Sequence, residues 1–201
     1  LRAIHNVLFT RIDATYLSLF RVVFGLFMFY QVAKYYRIDY SFQFISGPEV
    51  LFPYYYLQWL QPLPYTALQT ILIGLIVSTL LILFGVFHKF ALAFFCLGFA
   101  YFSFIDTTLY NNHLYLYTLI SFVLMFMHVD GKFSVCKKST RLQAPQWNLL
   151  LLRFLFGISY FYGGIAKLSS TDWMNGSLPA IIVRSSTTAL FGRSVDAWWL
   201  V

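Results

Sequence analysis

The 201-residue sequence predicts an all-α fold, a polytopic transmembrane bundle of about five spans plus the start of a sixth. The first observation is composition: 60% of residues are hydrophobic, 21% aromatic and only 10% charged, whereas a soluble domain carries about a quarter charged residues. The second is length. Apolar stretches at roughly 15–34, 66–87, 90–105, 113–128 and 147–166 are each long enough to cross a hydrocarbon core of about 30 Å at about 1.5 Å per helical residue. The third is a stripe in the last stretch, Arg153, Gly157, Tyr160, Gly164 and Lys167, whose spacings of 4, 3, 4 and 3 keep one helical face. Polar groups inside a membrane helix usually face protein or a wet cavity, so this face is where chemistry is expected.

Taken in order, the first span carries Arg21 near one end, where snorkelling or pairing with Asp13 or Asp130 would satisfy it. The 35–65 segment is too polar and too rich in tyrosine and proline to cross. Gly47-Pro48, Pro53, Pro62 and Pro64 break any long helix, and Tyr54, Tyr55, Tyr56 and Trp59 suit the membrane interface. The third and fourth spans are short and cross with little tilt. The chain starts at Leu1 and ends in the aromatic-rich run Ala197-Trp198-Trp199-Leu200-Val201, so we expect one domain over 1–201, incomplete at its C-terminus. No signal-peptide pattern precedes the first span.

Fourteen basic residues against seven acidic ones give a net charge of +7. A continuous basic face interleaved with exposed aromatics is missing, so nucleic acid is not an expected partner. Alternating spans instead place Arg2, Arg11, Lys89, Lys132, Lys137, Lys138 and Arg141 on one side, predicted to be cytoplasmic, and fewer basic residues, Arg37, Lys167, Arg184 and Arg193, on the other. That arrangement puts His113 and Lys167 on the same, extracytoplasmic or lumenal side. Cys96 and Cys136 fall at different depths, which disfavours a disulfide. His5, His88, His113 and His128 show no short ligand spacing, so no metal site is expected.

Two places concentrate polar chemistry. Lys167 closes the fifth span after Gly163 and Gly164, which let a helix or a flat ligand approach the backbone closely. An amine used as a base near neutral pH must first lose its proton, and desolvation favours the neutral form. The plain alternative is a snorkelling lysine at a helix end. The second place is the turn Asp106-Thr107-Thr108-Leu109-Tyr110-Asn111-Asn112-His113, with a carboxylate, two amides, a phenol and an imidazole between two spans. Its plain alternative is a polar turn with Asn112 capping the next helix. His113, Tyr117 and Ser121 continue inward at four-residue steps.

The motifs Phe20-Arg21 with Phe24-Gly25, Phe52-Pro53 before Leu60-Gln61-Pro62-Leu63-Pro64, YNNHLYLY, Phe133-Ser134-Val135, and YFYGGIAKL followed by Asp172-Trp173 occur in this order. The arrangement resembles the vitamin K-dependent gamma-carboxylase family and its bacterial relatives, grouped as the horizontally transferred transmembrane (HTTM) domain. The resemblance implies an integral membrane enzyme that oxidises vitamin K hydroquinone to its epoxide with O2 and uses the strong base so generated to remove a gamma proton from a protein glutamate, to which CO2 then adds. It implies that Lys167 deprotonates the hydroquinone and that His113, with Asn112, hydrogen-bonds the intermediates. Around these catalytic residues we expect Asn111, Tyr110, Asp106, Tyr160, Gly163, Gly164 and Trp173 to contribute to substrate and cofactor binding. The expected partners are a glutamate-containing protein or peptide and membrane lipid. Animal carboxylases carry a second lysine where Ala166 stands here, and acidic residues in the stretch Ser169-Ser170-Thr171. A non-catalytic quinone- or lipid-binding module and a quinone oxidoreductase are the competing functions.

Overall fold

The computed structural model describes residues 2–109, 111–127, 129, 133–135 and 143–183, and the chain divides into two compact units, 1–152 and 153–201. The first contains α1 (Arg2–Phe9), β1 (Arg11–Asp13), α2 (Thr15–Arg37), α3 (Tyr65–Phe84), α4 (His88–Phe104), α5 (Asn112–Phe126) and β2 (Gln143–Pro145). Helix α6 (Gln146–Leu168) begins in the first unit and ends in the second, which also holds α7 (Thr171–Met174). The chain is mostly helical. α2, α3 and α6 are long and apolar enough to cross a membrane, and α4 and α5 are shorter apolar helices. This is a membrane protein.

Each boundary has a local cause. The Asp13 carboxylate accepts from the Thr15 amide at 2.9 Å and from its hydroxyl at 2.6 Å, starting α2. Lys34 and Arg37 sit in the last turn of α2, where cations suit the negative end of the helix dipole. Asp39, with φ of 49°, then reverses the chain and accepts from Tyr65 Oη at 3.1 Å and Gln69 Nε2 at 2.6 Å, fastening the reversal to α3. Gly85, at φ 71°, ends α3 in the left-handed conformation that glycine adopts freely. There the Val86 amide returns to the Leu81 carbonyl and the Gly85 amide to that of Ile82, the Schellman closure.

In the first unit α2 packs on α3, α3 on α4 and α4 on α5, around buried Leu17, Phe24, Met28, Leu72, Leu75, Phe95, Phe99 and Leu124. Three buried hydroxyls are satisfied locally: Ser18, Ser103 and Thr118 donate to the carbonyl four residues earlier. One end of this bundle gathers the start of α2, the end of α3 and residues 133–135. The other gathers the end of α2, the start of α3, the α4–α5 turn and the 38–64 segment. The alternation read from the sequence is thus present in α2 to α5.

Three departures from the sequence reading stand out. The three-residue strands pair antiparallel, with Arg11 opposite Pro145 and Asp13 opposite Gln143, a ladder too short to leave a periodic signal. Arg21 does not snorkel. It is fully buried and donates from Nη1 to the Ile82 carbonyl at 3.2 Å and from Nη2 to the Phe133 carbonyl at 3.0 Å, because carbonyls at a helix end lack intrahelical partners. Asn111, not Asn112, caps α5: its extended backbone lets Oδ1 accept from the His113 amide at 2.9 Å.

Candidate active site

The turn from Asp106 to His113 is built around one carboxylate. Asp106 is 3% exposed; its Oδ1 accepts from the amide and hydroxyl of Thr108, both at 2.7 Å, and its Oδ2 from the Phe52 amide at 3.2 Å. The Thr107 amide answers by donating to the Phe52 carbonyl at 2.8 Å. Burial pushes the Asp106 carboxyl up, but the Thr108 hydroxyl and the amides of Thr108 and Phe52 outweigh it and hold the group below the ordinary carboxylate range. Burial, with the Tyr35 phenol and the Asp106 carboxylate nearby, pushes the phenol of Tyr40 up. Asp106 therefore ties the 38–64 segment to the α4–α5 turn, and its acceptor capacity is largely used.

Beyond Asp106 the turn opens. Asn111, Asn112 and His113 are exposed, with Asn111 committed to the cap. Tyr110 lies outside the described residues. The face predicted to run inward does so: His113 is exposed, Tyr117 half-buried with its ring edge-on to Phe27 at 5.5 Å, and Ser121 buried.

The lysine end belongs to the second unit. Lys167 lies in the last turn of α6. The chain then reverses, with the Ser170 amide bonded to the Lys167 carbonyl at 3.2 Å and the Met174 amide to that of Ser170 at 3.1 Å. This reversal places the Trp173 ring 4.7 Å from Lys167 Nζ, within cation–π range. The two residues singled out in YFYGGIAKL and Asp172-Trp173 thus meet. Within its own unit the stripe above them is open: Tyr160 is 79% exposed, Arg153 is exposed, and a Cβ added at Gly157, Gly163 or Gly164 would meet nothing within 4 Å among the described residues. The backbone beside Lys167 is left open to a flat group.

Sequence reasoning missed the fastenings that shape the first unit. Tyr101 Oη accepts from the Leu63 amide at 2.9 Å and donates to the Gln61 carbonyl at 3.1 Å. With the Asp106 bonds, this surrounds a cavity of ≈ 570 Å³ between residues 45–65 and Ile105. No cluster of His, Cys, Asp and Glu among the described residues could hold a metal ion.

The HTTM domain family matches residues 9–196. The chain belongs to the HTTM domain family. This HTTM domain is part of the vitamin K-dependent carboxylase family. No solved structure matches the HTTM chain. Membership accounts for the order of the motifs, and the structure gives two of them a physical reason. Phe20-Arg21 carries the buried guanidinium that binds the end of α3. Gly25 lets α2 approach α3 so closely that a Cβ there would lie 2.9 Å from the Leu83 backbone.

Proposed function

We propose that this HTTM protein is a membrane carboxylase of the vitamin K-dependent type, oxidising a hydroquinone with O2 and carboxylating a protein or peptide glutamate with CO2. The observation that carries the reading is Lys167 at the end of a membrane helix, beside Gly163 and Gly164, whose missing side chains leave room for a flat ring against the backbone. That opening fits a naphthohydroquinone, which supplies the reducing equivalents that O2 consumes. Trp173 holds the Lys167 ammonium in place through its ring face, and once that ammonium has given up a proton the neutral Nζ accepts one from a hydroquinone hydroxyl. His113, fixed by the Asn111 cap on its own backbone amide, and Asn112 offer hydrogen bonds to oxygen atoms of the reacting molecules. Tyr160, exposed on the same face as Lys167, supplies an aromatic surface. Tyr110 completes the proposed set from the sequence alone, and Asp106 serves it by holding the turn. The reading places this chemistry on the extracytoplasmic or lumenal side of the membrane.

The test is an assay of the purified protein in nanodiscs with a reduced naphthoquinone, a glutamate peptide and labelled CO2. Epoxide together with label fixed in the peptide is expected. Epoxide without fixed label makes the protein a quinol oxidase, and quinol binding with neither product makes it a binding module. His113→Ala is expected to lower epoxide formation by about 10² to 10⁴-fold, the usual contribution of a positioned proton-handling group, with unfolding unchanged because the side chain is exposed.

A further inference from the structure

The cavity beside the α4–α5 turn is assembled from a segment with little regular structure, yet its walls are held at three points. Phe52 is bound to Asp106 and Thr107, Gln61 and Leu63 to Tyr101, and Tyr65 to Asp39. Pro48, Pro53, Pro62 and Pro64 in the lining stiffen the backbone between these points. The space of ≈ 570 Å³ falls within the range of small-molecule sites, about 300 to 1,000 Å³. Ile45 and Ile105, each 1% exposed, make part of its wall apolar. The polar side chains in the lining are Glu49, Gln58, Gln61, Ser46 and Tyr65, and among the described residues no lysine, arginine or histidine joins them. In a chain with fourteen basic and seven acidic residues, the described lining has a carboxylate and no cation. It repels anions, including a glutamate side chain and a lipid phosphate.

We propose that this cavity, a site of the first unit additional to the opening beside Lys167, binds the hydroxyl-bearing head of a neutral amphiphile, and that Glu49 makes it prefer a quinol to the matching quinone. The identity of the quinol rests on the proposed function. An ionised carboxylate only accepts hydrogen bonds. A quinol offers it two O–H donors, whereas a quinone offers carbonyl oxygens, whose lone pairs face those of the carboxylate. Gln58 and Gln61 carry both donors and acceptors, so the quinone is disfavoured rather than excluded.

The test uses the full chain in phosphatidylcholine nanodiscs without oxygen, with 2-methyl-1,4-naphthohydroquinone and the corresponding quinone as probes in equilibrium dialysis. The wild-type protein is expected to bind the quinol about tenfold more tightly, which is about 1.4 kcal/mol. Glu49→Gln is expected to erase most of that preference without changing the unfolding midpoint, because Glu49 is exposed. Gln58→Trp, which fills the space, is expected to weaken both probes. Equal affinities in the wild-type protein, or a preference untouched by Glu49→Gln, would overturn the proposal. Glycerol monooleate that binds as tightly as the quinol and is lost in the same variants would assign the cavity to a membrane lipid and overturn the quinol. A quinol preference that depends on Glu49 in a protein forming no epoxide contradicts the carboxylase reading and leaves the cavity assignment standing. Epoxide formed by a protein whose quinol preference ignores Glu49 does the reverse.

Discussion

A single carboxylate decides the geometry of the candidate turn. Asp106 accepts three hydrogen bonds from Thr108 and Phe52 while almost fully buried, and its folded-state pKa is lowered. A group stabilised in its charged form contributes above its unfolded pKa of about 3.9 and loses that contribution as pH falls through the lower folded value. The protein is therefore expected to lose stability on acidification below about pH 4 through this residue. Asp106→Asn should lower stability at pH 7 by about 1 to 3 kcal/mol, the cost of an impaired buried hydrogen-bonding group, and flatten that part of the pH dependence. Thermal unfolding in detergent at pH 7 and at acid pH measures both; an unchanged midpoint at pH 7 would contradict the clamp. The sequence drew attention to Asp106 through the density of polar groups around it. It could not show that Phe52, 54 positions away, takes up one of its oxygens.

The start of α2 and the end of α3 are joined by a buried cation. Arg21 spans the Ile82 and Phe133 carbonyls, and a Cβ at Gly85 would collide with its Nη1. Arg21→Lys is expected to destabilise the protein, since one compact ammonium does not reproduce a planar fork that reaches two acceptors. Gly85→Ala should do the same through both the left-handed backbone and the lost space. Unfolding midpoints of the two variants test this, and wild-type stability in Arg21→Lys would count against the fork. The helices themselves were legible: the apolar runs at 15–34, 66–87, 90–105, 113–128 and 147–166 each contain most of one observed helix. Their fastening was not, because backbone carbonyls at helix ends carry no side-chain signature, and β1 and β2 are three residues each.

Across the whole chain, helix length is uneven. α4 and α5 have 17 and 15 residues, about 25 and 22 Å at about 1.5 Å per residue, against a hydrocarbon core of about 30 Å. Mismatch is met by local thinning at a modest cost per ångström, so the unfolding midpoint is expected to be higher in bilayers of 14-carbon than of 20-carbon acyl chains; the opposite order would contradict it. The candidate site was legible in pieces. YNNH and GGIAK named His113 and Lys167, and the Lys167–Trp173 contact followed the predicted motif, but the cavity beside Glu49 depends on fastenings that no local spacing encodes. The central claim is that Lys167 is the base. Its most direct measurement is epoxide formation by Lys167→Ala beside the wild-type protein in nanodiscs, with unfolding followed in parallel. Loss of epoxide in a protein that still unfolds like the wild type is the predicted result, and undiminished epoxide in the variant would contradict the account.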